Sequence, residues 1–139
     1  MNARANLATA RPVGHSRPVG LSIVLMACTI IAGLAIRFVP LGLPALIVKY
    51  GGSMLWALMF YWFVSSLLSG SRFLVAGLIA AALTTAVELF KLLHSPALDA
   101  FRLTIPGVLF LGRFFSVWDI LAYWVAISIG ILADRRNSL

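Results

Sequence analysis

Residues 73–93 read FLVAGLIAAALTTAVELFKLL, an almost wholly apolar run that contains a single carboxylate, Glu88. A membrane-spanning helix needs about 20 mostly apolar residues, so this run is long enough to cross a bilayer. A carboxylate inside such a helix costs roughly 2.5–3.5 kcal/mol on insertion scales and usually faces a partner or a water-filled cavity. Glu88 is therefore the first candidate for a functional residue.

Three further runs have the same length and character, at 20–39, 51–68 and 117–133. Hydrophobic residues make up 62% of the chain and charged residues 11%, whereas soluble domains carry about 25% charged residues. The runs are continuously apolar rather than alternating, and backbone groups in lipid must be hydrogen-bonded within the segment, so we expect helices. The sequence predicts an all-α membrane protein with four transmembrane helices.

One domain should hold all four spans, at 20–134, with a flexible basic tail at 1–19 and a short tail at 135–139. The sole cysteine, Cys28, falls in the middle of the first span, where a buried thiol is expected. Between the third and fourth spans lies the apolar run LTIPGVLFLG, at 103–112, which is too short to span and contains Pro-Gly. An interfacial or re-entrant segment that caps the bundle is the expected form of this connection.

Four spans place both termini on one side of the membrane. The positive-inside rule puts that side in the cytoplasm, by a narrow margin of six basic residues against five. The basic residues on the inner side are Arg4, Arg11, Arg17, Arg72, Arg135 and Arg136. Those on the outer side are Arg37, Lys49, Lys91, Arg102 and Arg113.

Helical spacing places Thr84, Glu88 and Lys91 on one face of the third span, and Asp119 and Tyr123 on one face of the fourth. The first and third spans end where the second and fourth begin, so charged residues from every span should meet at one end of the bundle. We predict a pocket there that binds a ligand through Glu88, Lys91, Asp99, Arg102, Asp119, Tyr123, Lys49 and Arg37. With Arg113 the pocket would hold five cations and three carboxylates, and an anionic ligand would balance the surplus of two positive charges.

Structural roles compete for the same residues. Arg37 and Lys49 stand at helix ends, where long cationic side chains often snorkel to the interface. Asp119 is placed to cap the fourth helix, and Glu88 and Lys91 are spaced as an i,i+3 pair. No spacing typical of metal ligands, catalytic triads or phosphate-binding loops occurs, so we expect no metal and no cofactor. The arginines of the tail are too sparse to predict nucleic-acid binding.

Five motifs carry a resemblance to a known family. They are KYGGSMLWA at 49–57, VELFK at 87–91, LDAFR at 98–102, LG at 111–112 and WDILAY at 118–123. In this order they resemble the bacterial membrane family called domain of unknown function 2809, over roughly residues 33–134. The resemblance implies a multi-pass protein of the bacterial inner (cytoplasmic) membrane, and the charge distribution adds cytoplasmic termini.

The chain is more distantly similar to VanZ-like proteins, which carry Glu-x-x-Gln, then Arg, then Asp at the head of the last helix. Glu88, Arg102 and Asp119 follow that order. Lys91 stands where that pattern has Gln, and Ser53 where the family often has Asp, so the pocket should be more positive than the pattern. Tyr123 occupies the place where VanZ-like proteins favour Asn. VanZ-like proteins are associated with reduced susceptibility to glycopeptide antibiotics, and the resemblance implies a role in the cell envelope.

The leading hypothesis is recognition of the headgroup of an anionic lipid or lipid-linked glycan. Arg102 and Lys91 would bind phosphate, while Glu88 and Asp119 would orient these cations and accept hydrogen bonds from a sugar or amine. Three alternatives stay open: an enzyme on a lipid-linked substrate with Glu88 or Asp119 as general base, a proton path through Glu88, and a purely structural subunit. Homo-oligomerisation would be compatible with each.

Overall fold

The computed structural model describes residues 18–68, 72–112 and 114–137. Its helices are α1 Val19–Phe38, α2 Ala45–Leu67, α3 Phe73–Phe90, α4 Pro96–Arg102, α5 Ile105–Phe110 and α6 Val117–Asn137. Four of them, α1, α2, α3 and α6, are long and apolar enough to cross a membrane. The predicted all-α fold with four membrane helices is confirmed, and the chain is a multi-pass membrane protein. Most of the basic tail, at 1–17, and Arg113 lie outside the described residues.

Two helices are longer than the apolar runs predicted. α2 begins at Ala45, directly after Pro44, rather than at residue 51. Proline is accommodated at a helix start because its missing N–H would have no partner there, and the two glycines that follow Lys49 continue the helix. α6 extends to Asn137 rather than ending at residue 133. In both cases charged residues at the membrane boundary stay helical.

α3 ends at Phe90, earlier than the predicted residue 93. The next amides bond three residues back: Leu92 N–H donates to Leu89 O at 3.0 Å and Leu93 N–H to Phe90 O at 3.1 Å. Such bonds tighten the last turn of a helix. The apolar run therefore continues past the α-helix as a turn that leads into α4.

The centre of the bundle consists of α2, α3 and α6, which pack against one another, whereas α1 packs against α2 alone within the described chain. Small residues bring these helices together: Ala57, Ala80 and Ala126 are fully buried. At Gly130 an added Cβ would lie 2.9 Å from the Tyr61 ring. Close approach of α2 and α6 therefore requires glycine at this position.

Tyr61 also ties α2 to α6 by a hydrogen bond. Its hydroxyl donates to Asp134 Oδ2 at 2.6 Å, and both side chains are almost completely buried. This pair lies near the C-terminal ends of α2 and α6. Cys28, expected to be buried, is exposed on the surface of α1, because α1 has only one packing partner.

The connection between α3 and α6 folds as two short helices. Ser95 Oγ accepts from Leu98 N–H at 3.2 Å at the start of α4, and Thr104 Oγ1 accepts from Gly107 N–H at 3.2 Å at the start of α5. In both helices proline occupies the first turn behind this cap. α5 packs on α4, and none of its described residues comes within 8 Å, Cα to Cα, of the four long helices. The backbone of α5 therefore stays apart from the long helices.

Candidate functional site

Glu88, in the last turn of α3, is fully buried and receives three donors. Ser116 N–H donates to Oε1 at 2.9 Å, Tyr123 Oη donates to Oε2 at 2.8 Å, and Lys91 Nζ lies 2.6 Å from Oε2. The predicted i,i+3 pair is present, and α6 with the residue just before it adds two further bonds. A buried carboxylate is stable only when its charge and lone pairs are met in this way. Glu88 thus joins α3 to α6.

Tyr123 is held from a second side by an aromatic neighbour. Its ring is tilted against Trp56 of α2, with ring centroids 5.4 Å apart, a favourable separation for aromatic pairs. The hydroxyl, bonded to Glu88, and the ring, packed on Trp56, leave Tyr123 only 4% exposed. The tyrosine therefore links all three central helices at this end of the bundle.

Lys91 is buried, with 8% of its surface exposed, and lies between Glu88 and an open cavity. Gly112 packs against its ammonium group: a Cβ there would lie 3.1 Å from Lys91 Nζ. Gly112 also has a positive φ of 66°, which side chains with a Cβ adopt only at a cost. Glycine is required at this position for both reasons, and it fixes the route of the chain past the lysine.

The charged cavity is a space of about 540 Å³ at this end of the bundle. Its walls come from the end of α1, the first half of α2, the chain at 108–112 and the start of α6. The polar and charged side chains that line it are Arg37, Lys49, Ser53, Lys91, Asp119 and Tyr123. Among the described residues, three cations thus face one carboxylate, since Glu88 lies behind Lys91 and outside the cavity wall.

Asp119, in the first turn of α6, is the carboxylate that lines the cavity, and it is 6% exposed. Its Oδ1 accepts from Ser53 Oγ at 3.3 Å, which is long for a bond between hydroxyl and carboxylate. A carboxylate in the first turn also interacts favourably with the positive end of the helix dipole. Asp119 therefore stabilises the start of α6 and still presents acceptor capacity to the cavity.

Arg37 and Lys49 are exposed cations at the rim of the cavity. Neither forms a salt bridge with any residue that the structure describes. The Lys49 ammonium lies 5.2 Å from the centroid of the Tyr50 ring. Their charges are therefore unneutralised by the described protein groups.

Arg102, predicted to bind the ligand, lies away from the charged cavity. Its guanidinium donates to Leu93 O at 2.9 Å and to Phe90 O at 3.0 Å, and Nη1 lies 3.3 Å from Asp99 Oδ1. Arg102 is 3% exposed, whereas the Asp99 side chain is 48% exposed. These contacts add a charged donor to the carbonyl of the last residue of α3 and to the carbonyl of Leu93 in the turn that follows. The structure brings Arg37, Lys49, Lys91, Asp119 and Tyr123 together and leaves Asp99 and Arg102 outside.

Some residues of the site carried little signal in the sequence. The Ser116 amide and the Ser53 hydroxyl act as donors to carboxylates 28 and 66 residues away. Trp56 and Gly112 were parts of motifs without an assigned role. Within the described ranges, no group of three or more His, Cys, Asp and Glu side chains could hold a metal ion.

Comparison with known proteins places the site in a family. No curated protein and no solved structure gives a significant match to the chain. Residues 42–127, however, match the sequence model of a family described as protein of unknown function (DUF2809). The matched segment covers α2 to the middle of α6 and includes Lys49, Ser53, Glu88, Lys91, Asp119 and Tyr123, with Arg37 preceding it. Since the match spans more than half of the sequence, the chain belongs to this family of membrane proteins of unknown function.

Proposed function

We propose that the charged cavity binds the anionic headgroup of a membrane lipid or a lipid-linked glycan. The observation that carries this proposal is the charge around the cavity: Arg37, Lys49 and Lys91 face a single carboxylate, Asp119. Because Lys91 is paired with Glu88, Arg37 and Lys49 against Asp119 leave a surplus of one positive charge among the described residues, which an anion would balance. The phosphate group of a lipid is the anion present at that depth of a bilayer.

Each wall of the cavity would have a distinct part in binding. Arg37 and Lys49 have no protein counter-ion in the described chain, so they are the groups available to phosphate. Lys91, held by Glu88, adds a fixed positive charge. Asp119 has acceptor capacity for the hydroxyl or amine of a headgroup. The phosphate contact predicted for Arg102 passes to Arg37 and Lys49, because the Arg102 guanidinium donates to the end of α3.

The cellular setting is part of the proposal. Arginine in the basic tail, at Arg72 and at 135–136 favours cytoplasmic termini. The cavity then opens at the outer face of a bacterial cytoplasmic membrane. The resemblance to VanZ-like proteins, through Glu88, Arg102 and Asp119, supports a role in the cell envelope.

Native mass spectrometry of protein extracted gently from its own membrane tests the headgroup site. The variant Arg37→Gln/Lys49→Gln removes the two unpaired cations, and Arg72→Gln/Arg136→Gln removes two exposed cations near the opposite end of the bundle. Exposed ion pairs contribute little individually and bidentate phosphate contacts contribute more. We therefore expect the first variant to retain anionic lipid on the order of tenfold less than wild type. The second variant should retain it like wild type.

Equal retention of anionic lipid by both variants would refute the headgroup site, and the structural-subunit hypothesis would then be favoured. One observation supports an enzyme as second candidate: Asp119 lines the cavity, whereas Glu88 is saturated with donors behind it. If the retained molecule is a lipid-linked glycan, incubation of wild type and Asp119→Asn with that molecule discriminates the two. Product formed by wild type alone would establish catalysis, and unchanged ligand in both would establish binding only.

A further inference from the structure

A second space, the apolar groove, adjoins the charged cavity on the side of α1. It measures about 230 Å³ and is lined by Thr29, Gly33 and Leu34 of α1, Leu55 and Met59 of α2, and Phe110 of α5. Apart from Thr29, its wall is made of apolar side chains and glycine until it reaches Arg37. The groove therefore has one charged end and one apolar end.

The groove and the cavity adjoin each other and share part of their walls. Arg37, Gly52 and Trp56 line both spaces, as do two residues of α5. A molecule that filled both would place an anionic group beside Arg37 and Lys49 and an apolar chain between α1 and α2. This is the charge pattern of a phospholipid and differs from that of a free phosphate ion or a soluble sugar phosphate.

The groove is long enough for the part of an acyl chain that lies nearest the headgroup. Its wall on α1 runs from Thr29 to Arg37, and eight residues at about 1.5 Å rise correspond to about 12 Å along the helix. The hydrocarbon core of a bilayer is about 30 Å thick, so the groove runs through most of one leaflet. It begins where the headgroup region begins, at the level of the charged cavity.

The groove exists because no protein group fills it. α1 packs against α2 alone, and α5 stays more than 8 Å, Cα to Cα, from both helices within the described chain. Two glycines face the space: a Cβ at Gly52 would meet nothing within 4 Å, and a Cβ at Gly33 would meet only Leu55 Cβ, at 3.9 Å. The space between α1, α2 and α5 is therefore open to a lipid chain.

We infer that the apolar groove holds an acyl chain of the same phospholipid whose phosphate headgroup occupies the charged cavity. This inference rests on the proposed function and narrows it, since it makes the ligand a lipid that stays in its leaflet. The acyl chain enters sideways between α1 and α5, and Arg37 stands where chain and headgroup meet. Tail packing holds the lipid in place, while the charges select its headgroup.

The test uses phosphatidylglycerol with a photoreactive diazirine on one acyl chain, in vesicles that contain the full-length protein. Phosphatidylcholine with the same photoreactive chain is the control, and it measures the labelling that any lipid around the membrane helices produces. Labelled peptides are mapped by mass spectrometry at Leu34, Leu55 and Met59. We expect phosphatidylglycerol to label the groove on the order of tenfold more than phosphatidylcholine, the ratio typical of one hydrogen bond to a charged group.

Two leucine variants on α1 form a matched pair. Gly33→Leu fills the groove at a position where the added Cβ makes no clash, and Gly20→Leu adds the same side chain where nothing lies within 4 Å. The preference for phosphatidylglycerol should fall to near one in the first variant and remain in the second. Equal labelling by both lipids in wild type, or no effect of Gly33→Leu, would overturn the groove as an acyl site.

The cavity variant Arg37→Gln/Lys49→Gln separates failure of the groove from failure of the headgroup site. Suppose that this variant retains less anionic lipid, while phosphatidylglycerol and phosphatidylcholine label the groove of wild type equally. The proposed function then holds and the acyl site is refuted. If Gly33→Leu removes the labelling preference and the cavity variant leaves it intact, the groove is upheld and the headgroup site is refuted.

Discussion

Replacing Glu88 by glutamine should destabilise the bundle even though the two side chains have nearly the same shape. The carboxylate accepts from Ser116 N–H, Tyr123 Oη and Lys91 Nζ at 2.9, 2.8 and 2.6 Å. A glutamine has one acceptor oxygen and an NH₂ group, so at least one of the three donors would face another donor. Lys91, which is 8% exposed, would also lose its counter-charge.

The size of the effect follows from the burial of the pair. Removing one partner of a buried ion pair costs about 3–5 kcal/mol. Because Lys91 borders the charged cavity, water reaches its ammonium, and we expect the lower end, about 3 kcal/mol. Lys91→Met should have a comparable cost, since it leaves Glu88 charged and completely buried. The double variant removes both charges, so the two costs should not add, with a coupling of about 2 kcal/mol.

Reversible unfolding by sodium dodecyl sulfate in lipid–detergent micelles, followed by tryptophan fluorescence, would measure these free energies. The four variants of the cycle are compared at the same lipid composition, and recovery from the membrane fraction checks insertion, which the neutral glutamine should leave intact. Single-variant losses below about 1 kcal/mol that add within about 0.5 kcal/mol would refute the reasoning. The buried pair would then contribute little to holding α3 and α6 together.

Three other substitutions have defined outcomes. Gly112→Ala places a Cβ at a φ of +66° and 3.1 Å from Lys91 Nζ. The free energy of unfolding in the same titration should therefore fall by about 1–2 kcal/mol. Arg102→Gln removes charged donors from two carbonyls at the end of α3 and should cost about 1.5–3 kcal/mol, while native mass spectrometry should show wild-type lipid retention. Tyr61→Phe removes the 2.6 Å hydrogen bond to buried Asp134 and should lower the free energy of unfolding by about 1–3 kcal/mol. Lipid retention should again match that of wild type.

The four spans were readable from the sequence because lipid imposes length and apolar composition on every spanning helix. Local spacing also sufficed for Glu88 and Lys91, whose i,i+3 contact depends only on helix geometry. α2 begins at Ala45, before its apolar run, and α6 ends at Asn137, past its own, so Lys49 and Asp134 lie in helical turns that the apolar runs do not include. Helices continue past the apolar region, so charge alone does not mark where they stop.

Contacts between segments that are far apart in the sequence could not be predicted from residue patterns. Arg102 looked like a phosphate ligand because guanidinium groups suit phosphate, yet its acceptors are backbone carbonyls, which every residue has and no sequence motif marks. Asp134 follows the apolar run at 117–133 and adjoins Arg135 and Arg136, and no sequence motif marks it as buried. It is buried because its partner Tyr61 lies 73 residues earlier, on a helix that packs against α6.

Two buried carboxylates, one at each end of the bundle, are hydrogen-bonded between α6 and another helix. Glu88 in α3 receives Tyr123 from this helix, and Asp134 in this helix receives Tyr61 from α2. During synthesis α3 leaves the ribosome first, with Lys91 as the neighbour able to offset the charge of Glu88 until α6 follows. The polar contacts at both ends of the bundle therefore form only when α6 packs against α2 and α3. Docking of this one helix completes both of them.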